Sequence, residues 1–172
     1  NRHAYIYPVS LLNGMSTNSA IDSLFFPRVS LSGTYGMLSG TVNCKIYLKN
    51  TIATDFGSAN LDWSAESGSA PLVYGNDPTV VISHTAGFKQ FILSSPFIYT
   101  GNNLEILVEY TQSAPATGEV VWGIDIPTDV PDYISNSVKY INGSSGTPTN
   151  LLSSSNNIHP AAFPASRILP KR

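Results

Sequence analysis

Between Phe88 and Thr111 the chain carries two apolar runs, FKQFILSSPFIYT and LEILVEYT, hinged on Gly101-Asn102-Asn103. A strand repeats every two residues, so Leu104, Ile106, Val108 and Tyr110 share one face while Glu105, Leu107 and Glu109 share the other. That alternation predicts a long strand buried mainly on one face. Phe88 to Leu93 reads as a second strand, and Pro96 interrupts its ladder because proline has no N–H to donate. Gly101-Asn102-Asn103 supplies the positive φ that a turn between the two runs requires.

The remainder of the chain repeats this pattern in shorter pieces. Tyr5, Tyr7, Val9 and Leu11 alternate within Ala4 to Leu12, and Asn13-Gly14 closes that run as a turn. Ala20 to Leu31 reads as a strand in which Pro27 marks a bulge or an edge position. Val42, Cys44, Ile46 and Leu48 share one strand face, expected to pack against Leu104, Ile106 and Val108. The opposite face, Asn43, Lys45, Tyr47 and Lys49, is expected to meet solvent or an edge partner. From Asn50 to Ala70 no helical period is sustained, which predicts a long irregular connection with one short helical turn near Leu61 to Glu66. Leu72-Val73-Tyr74 and Val80-Val81-Ile82 read as two short strands around Gly75-Asn76-Asp77-Pro78. Glu119 to Ile126, Ser137 to Asn142 and Ala165 to Leu169 supply further strands, separated by a loop at 128–132 and a polar stretch at 144–160. Short strands with turn signals between them, and no amphipathic stretch of helical length, predict one all-β domain over residues 1–172: an antiparallel β-sandwich with little or no helix.

Charged residues make up 12% of the 172, about half the ~25% usual in globular domains, so Ser, Thr, Asn and Gly must cover the surface. That balance suits an extracellular β domain. The net charge is −2 and Lys and Arg form no cluster, which argues against nucleic acid or an anionic membrane as partner. No segment approaches ~18 consecutive apolar residues, so membrane insertion by a helix is not expected. Asn1-Arg2-His3 leads directly into a strand pattern, as in a mature fragment or a module excised from a larger protein. The lone Cys44 lies on an apolar strand face and reads as a small buried hydrophobe.

Catalytic patterns are missing from the sequence. His3, His84 and His159 lack the spacing that gathers imidazoles on one metal, and neither a GxSxG elbow nor a phosphate-binding glycine loop is present. A hydrolase would need two carboxylates at a defined separation in a cleft, which spacing along the chain does not establish. The reading is therefore a non-enzyme. Two constellations carry recognition chemistry instead. Glu119, Asp125, Asp129 and Asp132 follow one another along a strand and its loop, and Asp125, Asp129 and Asp132 are candidate calcium ligands because hard cations want converging carboxylate oxygens; the alternative is a solvated loop with Asp at turn positions. Among the aromatics, Tyr99 and Trp122 read as core. Trp63, Tyr35 and Tyr133 fall in loop-like sequence and are the candidate ligand contacts, since flat rings beside amides can stack on sugars. For Trp63 the alternative is that it folds back to cap one end of the sandwich.

The segments AIDSLFF (20–26), CKIYLKNT (44–51) followed by Asp55-Phe56, Val73-Tyr74-Gly75, SPFIYTGNNLEIL (95–107) and Ser166-Arg167-Ile168 occur in an order that resembles the jelly-roll modules of secreted and cell-surface Bacteroidetes proteins. These modules are similar to the cleaved-adhesin domains of gingipains and are often found in proteins exported by type IX secretion. The resemblance covers most of the chain and implies a jelly-roll path and an extracellular or cell-surface location. Calcium binding by related adhesin modules adds to the metal expectation without locating its ligands. Residues 1–172 contain no type IX sorting domain, so the resemblance implies that this signal was removed or lies elsewhere in the parent protein. The expected function is adhesion or recognition of a glycan or a protein surface beside neighbouring domains of a parent protein; the alternative is an architectural spacer.

Overall fold

A computed structural model describes residues 1–12, 14–28, 40–82, 85–114 and 137–141 in full, and 124–125, 151–154, 163–164 and 167–170 by their backbone pairing. The strands are β1 (Arg2–Tyr7), β2 (Ala20–Arg28), β3 (Val42–Thr51), β4 (Leu61–Asp62), β5 (Leu72–Asn76), β6 (Gly87–Ile98), β7 (Asn103–Gln112), β8 (Ile124–Asp125), β9 (Val138–Ile141), β10 (Leu151–Ser154), β11 (Phe163–Pro164) and β12 (Arg167–Pro170). Among the described residues two short helices interrupt them, α1 (Trp63–Gly68) and α2 (Thr79–Ile82), and a 3₁₀ turn spans Val9–Leu11. Seven strands form a large sheet in the order β4-β10-β9-β1-β7-β3-β5, three form a small one in the order β12-β2-β6, and β8 pairs with β11. All described pairings are antiparallel. The molecule is an all-β sandwich, as the alternation predicts. No helix among the described residues is long and apolar enough to cross a membrane.

The core lies between the sheets. Cys44, Ile46, Leu48, Leu104 and Ile106 of the large sheet meet Ile21, Leu24, Phe26, Phe91, Leu93 and Phe97 of the small one in a single buried cluster. Phe91 sits at its middle, edge-on to Phe26 at 5.5 Å and to Tyr74 at 5.2 Å, the arrangement that ring quadrupoles favour. The faces of β3 and β7 do meet, but side by side: Leu48 pairs with Ile106 and Ile46 with Val108 in one sheet. Tyr99 is buried and donates its hydroxyl to Asn102 O at 2.6 Å, closing the turn in which Gly101 takes a φ of +88°. Cys44 is buried as expected, and burial pushes its thiol up to about 12.

Several elements depart from the pattern. Strand β7 is buried on both faces, with Glu105 and Leu107 at 2% and 0% exposure, because the connection from β3 returns across the outer side of the large sheet. There Trp63, Ala70, Ala4 and Leu107 form a second buried cluster, flanked by Tyr47, Phe56, Leu61 and Ile141. The outer face of β3 is thus partly covered and does not simply meet solvent. Val80-Val81-Ile82 belongs to α2, not to a strand: Asp77 accepts from Thr79 N at 2.9 Å, Ile82 N reaches Pro78 O at 2.8 Å, and Arg28 donates to Ile82 O at 2.8 Å. An Asp-Pro start and a terminal cation outweigh the strand preference of β-branched residues. Strand β6 runs through Pro96, yet its register to β2 jumps from Ser23–Ile92 to Ile21–Phe97, so the ladder breaks where proline cannot donate. Pro27 lies beyond the stretch of β2 that β12 covers, which ends at Phe25.

Candidate functional site

Even-numbered residues of β6 point away from the core. Phe88, Ile92 and Ile98 on that side are 58%, 67% and 50% exposed, whereas Phe91, Leu93 and Phe97 on the other are buried. Phe88 and Ile92 stand roughly 13 Å apart at ~3.3 Å per residue, with exposed Gln90 between them. Their cross-strand partners on β2 are Pro27, Phe25 and Ser23, the first two half-buried. Lys89 turns inward, 7% exposed, and donates to Thr85 Oγ1 at 3.1 Å. The described part of this face presents Phe88, Gln90 and Ile92 of β6 beside Ser23, Phe25 and Pro27 of β2, with half-buried Asp22 at the register break and Arg167 of β12 paired to Phe25. Single exposed hydrophobes are ordinary; here three lie on one face of one strand, Phe88 and Ile92 on one side of the register break and Ile98 beyond it. Alternation in FKQFILSSPFI already held this signal, since apolar residues occupy both faces.

The opposite side of the molecule, where α1 covers the large sheet, concentrates the ionisable groups. Trp63 opens α1 behind Asp62, whose carboxylate accepts from Ser64 N at 2.9 Å and Ala65 N at 3.3 Å. Its indole is 3% exposed, edge-on to Tyr47 at 6.3 Å and covered by the Arg2 guanidinium at 5.3 Å. Arg2 also donates to Glu109 Oε2 at 2.6 Å, and Lys45 lies 3.2 Å from the other oxygen. Burial alone would raise the Glu109 carboxyl; hydrogen bonds from Arg2 and Lys45 hold it below its ordinary value. Farther along, Lys49 pairs closely with Glu66 of α1 and lies 3.6 Å from Glu105 Oε2. Lys139, fully buried on β9, donates to Ala59 O at 2.9 Å.

These placements correct the sequence reading of Trp63. It is not an exposed loop ring: the Asp62 cap starts a helix there and the indole is buried with Ala4 and Leu107 on the outer side of the large sheet, rather than over an open end of the sandwich. Tyr35, Tyr133, Asp129 and Asp132 lie outside the described residues. Asp125 is placed only by its backbone pairing with Phe163. Among the described residues no three His, Cys, Asp or Glu side chains gather as a metal cage. No family model, curated protein or solved structure matches the chain. The fold and its two outer faces are thus the basis for a functional reading.

Proposed function

We propose that the chain is an extracellular recognition module of jelly-roll type, without catalytic activity, that binds a protein surface through the outer face of its small sheet. The observation that carries this reading is the row Phe88, Ile92 and Ile98 on β6. Its chemistry favours a protein over a glycan: Ile92 and Ile98 are aliphatic and offer no flat ring to stack on a sugar, and the one amide beside Phe88, that of Gln90, already donates to Ser23 Oγ at 3.1 Å, which suits an apolar protein patch. Recognition uses the face of β6 rather than its edge, because Pro96 and the inward Lys89 are the devices that blunt an edge strand. The location and the type of parent protein follow the resemblance of the sequence to secreted adhesin modules.

The test is an array of purified extracellular proteins and glycans probed with the wild-type chain and with the double variant Phe88→Ser, Ile92→Ser. Binding to a protein that weakens at least about tenfold in the variant, with the melting temperature unchanged within a few degrees, supports the proposal. Binding only to a glycan, or binding indifferent to the two substitutions, overturns it. A chain that binds nothing on the array is an architectural spacer.

A further inference from the structure

Glu105 occupies the middle of the large sheet on the side that α1 covers. Its backbone neighbours are Ile6 on β1 and Lys49 on β3, and its side chain is 3% exposed. Oε2 lies 3.6 Å from Lys49 Nζ. Oε1 is buried and has no hydrogen-bond partner. Across from it stands Glu66 of α1, which shares the same ammonium. One lysine thus serves two carboxyl groups, of which Glu105 is closed to water while Glu66 and Lys49 keep 21% and 29% of their side chains exposed. If both were ionised, a negative charge would remain uncompensated and Oε1 would stay an orphan, each a costly condition in a protein interior. A proton on Oε1 removes both problems, since the O–H can donate to the Glu66 carboxylate while Lys49 balances the single charge that is left.

We propose that Glu105 and Glu66 share a proton, and that this carboxyl–carboxylate hydrogen bond is a pH-operated catch holding α1 against the large sheet. Burial, then the charge of Glu66, push the Glu105 carboxyl to about 8, with Lys49 pulling the other way. The remaining charged groups nearby have other engagements. Ile6 is what β1 presents to Glu105. Lys139 of β9 is bound to Ala59 O. Asp62 caps α1 and Asp55 accepts from Gly57 N in the connection. Arg2, Lys45 and Glu109 form their own group four residues along β7. Helix α1 has only six residues, too few to persist without the surface beneath it. Loss of the shared proton sets two carboxylates against each other there, so α1 lifts and uncovers Trp63, Ala4 and Leu107. The catch is shut at neutral and acidic pH and opens on the alkaline side.

Two spectroscopic titrations of the full chain test this. Carbon-13 carboxyl NMR follows Glu105, assigned by the resonance missing in Glu105→Gln. Fluorine NMR of protein labelled with 5-fluorotryptophan follows Trp63, one of two tryptophans. The expected result is a Glu105 midpoint near 8 and a Trp63 line that moves to a solvent-exposed shift over the same range, with Glu105→Gln holding Trp63 buried throughout. If Glu105→Gln does not fold, Glu66→Gln serves: removing its charge must lower the Glu105 midpoint. A Glu105 carboxyl that titrates in the ordinary carboxylate range, a Trp63 line that moves identically in Glu105→Gln, or a midpoint untouched by Glu66→Gln overturns the proposal.

Discussion

Trp63 is the residue whose environment changes most between sequence and structure. A tryptophan between Asp62 and Ser64, inside a segment of Ser, Ala, Gly and Asn, offers no periodicity from which burial could be inferred. What decides its position is the Asp62 carboxylate, which satisfies two amides and fixes the first turn of α1. Trp63→Ala should therefore cost about 3–5 kcal/mol, measured as a lowered urea midpoint. Asp62→Ala should cost about 1 kcal/mol by loss of the cap, and a midpoint equal to wild type would show that α1 is held by its packing alone. Glu105 was just as hard to place in advance. A carboxylate between Leu104 and Ile106 looks like the polar side of a half-buried strand until α1 is seen to lie over it.

At the scale of elements, β7 and β3 were legible because both faces of a two-residue repeat are written in consecutive positions. Ile106→Ala should cost about 2–5 kcal/mol, since its side chain is fully buried between the sheets; a denaturation midpoint equal to wild type would contradict that placement. Elements governed by single side chains were less legible. Three consecutive β-branched or aliphatic residues suggested a strand at 80–82, and one Asp-Pro pair converted them to helix. Strand β10 hides in a polar stretch because its pairing to β9 and β4 comes from the backbone, and Leu-Leu-Ser-Ser has no alternation to announce it. Of the candidate site, the exposed row on β6 was readable as alternation, but which of its two apolar faces would stay uncovered depended on the position of the large sheet.

For the whole molecule, the two acids of β7, buried Glu105 and half-buried Glu109, bend stability with pH in opposite directions. Glu105 has its folded value raised above the ordinary 4.5. Its stabilising contribution is thus complete below 4.5, where folded and unfolded chains both hold the proton. The contribution is lost as pH rises toward about 8, with a slope of at most about 1.4 kcal/mol per pH unit. Glu109 is lowered, so its contribution is present above the ordinary carboxylate value and disappears as pH falls below it. Together they place the stability maximum on the acidic side of neutrality, near the ordinary carboxylate range. Melting temperatures from pH 3 to 9 should show it, and Glu105→Gln should flatten the alkaline limb while leaving the acidic one. A wild-type alkaline limb as flat as the variant's would contradict the assignment.

The neighbours of β1 also set an order of events in time. Arg2–Tyr7 pairs with β7 and β9, so a strand at the start of the numbering has to wait for residues 103–112 and 138–141 before it has anything to bond. A chain emerging from a ribosome holds that segment unpaired until residues 103–112 and 138–141 have followed it. A chain diluted from denaturant must close a loop of about a hundred residues to seat it, a demand that slows β-rich domains to milliseconds or seconds. Pulse-labelled hydrogen exchange should find the amides of Ala4 and Ile6 protected no earlier than those of Leu107. Until then the tyrosines of β1 and the apolar face of β7 are open to other chains, and crowding during refolding should lower the yield in proportion to how long that wait lasts.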